Sequence, residues 1–181
     1  VYQEREKTLF EAIINGSQDA VKMIAGITAL LIAVLGLMSL ADTLIALVNP
    51  AWSLKAFLSL VFYPLTLILG IPPADAGVIA GIIGERTILT EVVSFQDLSA
   101  AIAKNLISNP RSVLIAVYAL CGFAHIASVA IFVGGTAALA PDRKGDLSRL
   151  GLRALIAATR ACLMSACVIG TFVSESGMAL K

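Results

Sequence analysis

The stretch AGVIAGIIGERTILTEVVSFQDLSAAIAKN, residues 76–105, decides the fold because it is apolar but repeatedly interrupted. Its first part, AGVIAGIIGERTILT, is too short to cross a bilayer, since a spanning helix needs about 20 apolar residues. Its second part, VVSFQDLSAAIAKN, is shorter still. Two such helices in succession predict a re-entrant hairpin with its tip at or near Thr90 and Glu91. Irregular backbone at that depth requires protein or a water-filled cavity around it, so a functional role for Glu91 is favoured.

The composition places this hairpin in a membrane protein. Hydrophobic residues make up 59% of the 181 residues, charged residues 14%, and the mean hydropathy is +0.93. A soluble domain has roughly 25% charged residues. Residues 23–41 contain no charged residue. Residues 113–140 contain none either, apart from the histidine His125, and residues 154–174 contain only Arg160. The sequence therefore predicts an integral membrane protein.

Other classes of function receive no support from the composition. A net charge of +1 gives no electrostatic footprint for nucleic acid. The three cysteines, Cys121, Cys162 and Cys167, lie in apolar segments, which favours buried free thiols over disulfides. No metal-ligand spacing or catalytic nucleophile motif is present. We therefore assign no catalytic residue, no metal site and no cofactor.

Helix signals divide the chain into six predicted segments. These are an amphipathic interfacial helix (1–21), a long scaffold transmembrane helix (22–50), an interfacial or tilted helix containing Pro64 (51–74), the re-entrant hairpin (75–109), a broken transmembrane helix (110–141), and a basic loop followed by a final transmembrane helix (142–181). Asp75 is expected to cap the first hairpin helix. Glu85 and Arg86 are expected to form a structural pair within the hairpin.

The segment 110–141 is predicted to be broken because small and polar residues interrupt its apolar pattern. They are Gly122, His125, Ser128, Gly134 and Gly135. A broken helix exposes free backbone groups and half-helix ends within the membrane, where a polar ligand can use them. His125 is the only histidine in the chain. On an apolar helix it is either a packing residue or a ligand contact.

The distribution of basic residues predicts the orientation. Arg143, Lys144, Arg149 and Arg153 form the densest basic stretch, which the positive-inside rule places in the cytoplasm. The hairpin then enters from the outer side of the inner (plasma) membrane. Besides setting the topology, this basic loop is expected to contact anionic headgroups.

Three motifs, GERTILTEVVSF, YALCGFAHIASVAI and GGTAALAPDRKGDLSRLGLRALIA, resemble the carboxy-terminal half of the concentrative nucleoside transporters. The resemblance covers nearly the whole chain. It implies an all-α integral membrane fold with a long scaffold helix, an interfacial helix, a re-entrant hairpin, a broken transmembrane helix and a final transmembrane helix. This is the second half of an inverted-repeat transporter, so we expect the chain to be a fragment or one piece of a split transporter.

The resemblance also implies a function and a site. The function is ion-coupled uptake of nucleosides by a homotrimer in the lipid membrane, with the coupling-ion site, for Na⁺ or H⁺, in the absent amino-terminal half. Glu91 falls on the family's hairpin-tip glutamate, which contacts a ribose hydroxyl. Phe123, His125 and Ser128 fall on contacts in the broken helix. His125 and Thr90 each replace an asparagine of the family, which loosens the assignment of the substrate.

Two other interpretations remain open. A non-transporting or split membrane module could retain the same fold. An intramembrane enzyme could use Glu91 and His125 as an acid–base pair, although no nucleophile or metal motif favours it. At the level of single residues, Glu91 could instead lock the hairpin through Arg86, five positions earlier.

Overall fold

The computed structural model describes residues 8–49, 52–174 and 177–178, and their fold is helical. Seven α-helices follow one another: α1 (Leu9–Val48), α2 (Leu54–Ile68), α3 (Pro73–Ile88), α4 (Glu91–Ala103), α5 (Pro110–Leu120), α6 (Ile126–Leu139) and α7 (Lys144–Phe172). A short 3₁₀ turn, Pro141–Arg143, precedes α7, and a two-residue antiparallel pairing of Val173–Ser174 with Gly177–Met178 follows it. The predicted order of elements is confirmed.

The first helix is continuous across the boundary predicted between residues 21 and 22. Thr8 caps α1 by accepting a hydrogen bond from the backbone N–H of Glu11 at 3.2 Å, and the helix then runs for 40 residues. The sequence Asn15-Gly16-Ser17 contains weak helix formers but no proline, so it does not break the helix. Residues 1–7 of the predicted interfacial segment lie outside the described residues.

The second helix continues through Pro64, as in the predicted segment 51–74. Pro64 has no N–H to bond the carbonyl one turn earlier, but α2 extends only about one more turn beyond it. It ends in a Schellman motif, in which Ile71 donates to the carbonyl of Thr66 and Gly70 donates to that of Leu67. Gly70 has φ +81°, a conformation that favours glycine.

The hairpin comprises α3 and α4, with its tip at Leu89 and Thr90. Pro73 occupies the first turn of α3, where its missing N–H costs nothing. Asp75 does not cap α3, contrary to expectation. Its buried carboxylate instead accepts from the backbone N–H groups of Ser108 at 2.9 Å and Asn109 at 3.1 Å, which ties the start of the hairpin to the start of α5.

The expected pairing of Glu85 with Arg86 is also wrong. Neighbouring positions on a helix point about 100° apart, so the two side chains reach different partners. Glu85 forms an ion pair with Lys55 of α2, and Lys55 also bonds Asp97 of α4 at 3.1 Å. One ammonium therefore joins α2 to both arms of the hairpin, while Arg86 points towards α5.

The basic segment before the last span is mostly helical rather than a loop. Only residues 141–143 form a separate turn, and α7 begins at Lys144 and runs for 29 residues. The run DLSRLGLRAL contains good helix formers on both sides of Gly151. The basic residues therefore occupy the first turns of a long helix.

The core lies where α2, α3, α5 and α7 meet. It consists mainly of small and aliphatic side chains, including Ile79, Ile83, Ile115, Leu120 and Ala166. By contrast, α1 leaves most of its large apolar side chains exposed, among them Leu37, Leu40 and Leu44. Of the described helices, α1 and α7 are long and apolar enough to cross a membrane, and lipid would cover these apolar faces.

Arg111 joins three helix ends, a role that the sequence did not predict. From the first turn of α5, its guanidinium donates to the carbonyl of Gly70 after α2 at 2.6 Å. It also donates to the carbonyl of Gly170 at 2.7 Å and that of Val173 at 2.9 Å, at the end of α7. The last carbonyls of a helix have no partner within the helix. Arg111 donates hydrogen bonds to such carbonyls at the ends of α2 and α7.

We expect Arg111→Ala to destabilise the protein by about 2–4 kcal/mol, because charge-assisted bonds are lost and two partly buried carbonyls, those of Gly170 and Val173, lose their donor. Thermal unfolding of the purified protein in detergent measures this. Lys104→Ala, which removes an exposed cation after α4, is the control and should change stability by no more than about 0.5 kcal/mol. Equal effects of the two substitutions would contradict the role of Arg111.

Candidate substrate site

The site is built around the interruption between α5 and α6. After Leu120 the chain leaves the helix, with φ −72° and ψ 42° at Cys121. Gly122 donates to the carbonyl of Leu120 at 2.7 Å, and Ala124 donates to the carbonyl of Gly122 at 2.8 Å. These two tight turns reorient the chain before α6 begins at Ile126. The predicted broken helix is confirmed.

Arg86 of α3 binds the carbonyl side of this interruption. Its side chain is almost wholly buried, at 1% exposure, and Nη1 donates to the carbonyl of Ala119 at 2.9 Å. Nη2 donates to the carbonyl of Gly122 at 3.2 Å and lies 3.4 Å from Cys162 Sγ. A cation at the negative end of α5 is electrostatically favourable. Arg86 gives the Ala119 carbonyl, near the end of α5, a donor and gives the Gly122 carbonyl a second one besides Ala124.

Gly122 leaves room for the Cys162 thiol where α7 passes the interruption. A Cβ atom built at this position would lie 2.1 Å from Cys162 Sγ and 3.6 Å from Arg86 Nη2. No other residue type fits without movement of α7 or of the thiol. The interruption therefore has the hairpin on one side and α7 on the other.

His125 caps the N-terminus of α6. Its Nδ1 accepts from the backbone N–H of Ser128 at 3.0 Å, while Ser128 Oγ accepts from the backbone N–H of His125 at 3.1 Å. This reciprocal pair is a capping box. Because Nδ1 is an acceptor, the ring proton of neutral His125 lies on Nε2. The cap therefore fixes both the tautomer and the direction of the ring.

The remaining ring nitrogen of His125 meets the hairpin tip. Nε2 lies 2.7 Å from Glu91 Oε2, with the His125 side chain 1% exposed and the Glu91 side chain 26% exposed. The N–H direction is poorly aligned with the oxygen, so neither atom has a well-formed hydrogen bond within the described residues. A donor and an acceptor therefore lie side by side, each buried and each with unused bonding capacity.

Two helix N-termini lie near the Glu91 carboxylate. Glu91 is the first residue of α4, and its partner His125 is the N-cap of α6. The positive end of a helix dipole stabilises a nearby anion, typically by 0.3–1 kcal/mol when exposed and up to about 2 kcal/mol when partly buried. These dipoles offset part of the cost of placing a carboxylate in an apolar segment.

The other predicted site residues surround this pair unequally. The Phe123 ring is 45% exposed and stands edge-on to His125, with the ring centroids 4.9 Å apart. Ser128 is buried, and its hydroxyl also donates to the carbonyl of His125 at 2.6 Å, so it serves the cap. Thr90 occupies the N-cap position of α4, but its side chain makes no capping bond.

The sequence did not predict the contacts that fix the interruption, which involve Arg86, Gly122 and Cys162. A useful signal was present, because a lone arginine in an apolar helix needs a buried partner and a broken helix offers free carbonyls. The alternative in which Arg86 pairs with Glu91 is wrong, since the bonds of Arg86 go to Ala119, Gly122 and Cys162. Among the described residues, no group of three or more His, Cys, Asp or Glu side chains is arranged to hold a metal.

Comparison with known proteins agrees with this architecture. The family described as "Na+ dependent nucleoside transporter C-terminus" matches residues 1–170. The chain belongs to this family. Solute carrier family 28 member 3 of Rattus norvegicus is 34% identical over 97% of the chain, which covers 27% of that protein. Nucleoside permease NupC of Helicobacter pylori is 33% identical over 94% of the chain, which covers 42% of that protein.

Solved structures of this family have the same fold. A variant of the transporter CNTnw in an outward-facing state matches with a TM-score of 0.86 and 28% identity, over 94% of this chain and 44% of that one. CNTnw in an inward-facing substrate-bound state matches with a TM-score of 0.69 and 28% identity, over 98% of this chain and 43% of that one. The chain thus spans less than half the length of these relatives. Like them, it is a multi-pass protein of the plasma membrane.

We expect Gly122→Ala to destabilise the protein by about 1–3 kcal/mol, because its Cβ overpacks the contact with Cys162. Adding Cys162→Ala should recover most of this loss, since Arg86 Nη2 at 3.6 Å and Cys162 Cβ at 3.7 Å, both ordinary van der Waals contacts, are then the nearest neighbours. A double-mutant cycle of thermal unfolding measures the coupling. Gly145→Ala, where a Cβ meets open space in the first turn of α7, is the control and should be neutral or stabilising.

Proposed function

We propose that this chain supplies the sugar-binding half of the substrate site in an ion-coupled nucleoside transporter. The observation that carries the proposal is the 2.7 Å approach of Glu91 Oε2 to His125 Nε2, across the hairpin tip and the interrupted helix. The family assignment supplies the substrate class, because the similar proteins include a nucleoside permease and sodium/nucleoside cotransporter 2 of Rattus norvegicus.

The chemistry of the pair suits a sugar. A carboxylate accepts hydrogen bonds from two adjacent hydroxyls at once, and the Nε2–H of His125 donates to a hydroxyl oxygen. A diol can therefore insert into the contact and satisfy both groups with better geometry than they achieve together. The exposed face of Phe123 offers an apolar surface beside them for the sugar ring or the base.

The coupling ion is sodium or a proton. Protonation of His125 at Nδ1 would break the cap of α6, because Nδ1 would then become a donor facing the N–H of Ser128. A transported proton carried on the imidazole would therefore disrupt the start of α6. We infer that a sodium site, in contrast, would lie in the amino-terminal half of the transporter, as the family resemblance implies.

We also propose a conformational state and an assembly for the transporter. The higher TM-score to the outward-facing CNTnw variant than to the inward-facing state supports an outward-facing arrangement of this chain. The proposed assembly is a homotrimer with α1 in the scaffold. The long apolar face that α1 leaves exposed is available for contacts with lipid or other subunits.

We expect Glu91→Gln in the native full-length protein to weaken nucleoside binding by about tenfold or more, because a charge-assisted bond to a hydroxyl is worth about 1.5–3 kcal/mol. Uptake into proteoliposomes and equilibrium binding measure this, each with an inward sodium gradient or pH gradient. Asp142→Asn, an exposed carboxylate before α7, is the control. Unchanged uptake and affinity for Glu91→Gln would remove this residue from the site.

His125→Ser and His125→Ala should separate capping from binding. Serine is a good N-cap, so His125→Ser should preserve stability to within about 0.5 kcal/mol, whereas His125→Ala should lose about 1 kcal/mol. Both remove the Nε2 donor and should weaken binding of the nucleoside. If His125→Ser bound with unaltered affinity and uptake kept the same pH profile, the imidazole would have only its structural role.

A further inference from the structure

Three arginines lie on one stripe of α7. Arg149, Arg153 and Arg160 are four and seven residues apart, which at 3.6 residues per turn places them within roughly 40° of one another. Of the buried residues of this helix, Gly151 lies opposite the stripe and Ala166 about 120° from its centre, while Gly170, near the far end, lies about 80° from it. The stripe therefore faces away from the rest of the described protein.

All three arginines are exposed, and none takes part in the ion pairs found among the described residues. Arg149 and Arg153 line a cavity of about 700 Å³ together with Arg143, Asp146 and Leu150. Asp146, the carboxylate of this cavity, bonds Arg143 at 2.7 Å. The cavity thus has two uncompensated guanidinium groups and is open to an anion.

Arg160 lies deeper than the other two. It is seven residues beyond Arg153, which corresponds to about 10 Å along the helix axis, and it is the only charge in residues 154–174. A charged residue facing lipid at that depth is costly unless its head reaches the interface. A long arginine stem permits this by snorkelling, which brings the Arg160 guanidinium towards Arg153.

Apolar side chains continue the surface on the membrane side of the arginines. Ile156 and Met164 are exposed next to and beyond Arg160 on the same side of α7. A ligand that binds here meets cations at one end and hydrocarbon below. That is the chemical pattern of a phospholipid, which has an anionic phosphate attached to acyl chains.

We propose that the stripe of Arg149, Arg153 and Arg160 is a binding site for the phosphate of an anionic phospholipid in the cytoplasmic leaflet. Guanidinium groups bind phosphate oxygens in a bidentate manner, which an ammonium does not reproduce. The cytoplasmic leaflet carries the anionic lipids that attract basic residues near the membrane surface. A soluble anion would use the same guanidiniums but would gain nothing from Ile156 and Met164.

The test compares retained lipids by native mass spectrometry. The native full-length protein is equilibrated in mixed micelles with equal amounts of phosphatidylcholine and phosphatidylglycerol, and bound lipids of each kind are counted. Wild type should retain phosphatidylglycerol preferentially. Arg153→Gln/Arg160→Gln should reduce this preference by on the order of tenfold, while the charge-matched control Lys22→Gln/Lys104→Gln should not. The single variant Arg160→Gln gives the same comparison if the double variant fails to fold.

Two results would overturn the proposal. The first is an equal preference for phosphatidylglycerol in the arginine variants and in wild type. The second is displacement of the retained lipid by millimolar inorganic phosphate or soluble glycerophosphoglycerol, which would show a free-anion site. Arg160→Lys, which keeps the charge but loses the bidentate fork, should show an intermediate preference. Thermal unfolding of each variant confirms that the comparison is made on folded protein.

Discussion

A guanidinium buried among apolar helices binds two carbonyls at the interruption of a broken helix, and the geometry of the site depends on this contact. Arg86 reaches from the hairpin to Ala119 and Gly122, with bonds of 2.9 and 3.2 Å. Removing the acceptors would leave a buried charge without bonds, and removing the guanidinium would leave the buried carbonyl of Ala119 without its donor, which costs more than the net value of the bonds themselves. The interruption of α5 and α6 is therefore held at a fixed distance from α3, and so from the hairpin tip.

The acid at the hairpin tip depends on the same arrangement. Glu91 begins α4 and faces the capping residue of α6, so the ends of two helices offset part of its cost in an apolar segment. His125 can face it because Ser128 holds the other ring nitrogen at 3.0 Å. A polar site inside a membrane protein is thus produced by helix ends rather than by a collection of charged side chains.

Much of this fold could be predicted from the sequence, because the length and interruption of apolar runs are local properties. The hairpin tip at Thr90 and Glu91 followed from two helices too short to span, and the broken helix from Gly122, His125 and neighbouring small residues. The anchors could not be predicted in the same way. Arg86 bonds a carbonyl 33 positions away and Asp75 bonds an amide 34 positions away, and no local pattern reports such partners. The predicted pair of Glu85 and Arg86 was also wrong, because the side chains of adjacent residues in a helix point in different directions.

The anchors constrain the parts of the chain unequally. Asp75 ties the hairpin to the start of α5, and Arg86 ties it to the end of the same helix, so α3 and α5 are joined at both ends by buried bonds. The tip meets α6 through the Glu91–His125 contact, which is short but poorly aligned. A rearrangement that separates α3 from α5 must break several buried hydrogen bonds. One that separates Glu91 from His125 breaks a single contact that is not a well-formed hydrogen bond. The interface between the tip and the N-terminus of α6 is therefore the weakest point in this part of the fold, and it is also where the groups with unused hydrogen-bonding capacity lie.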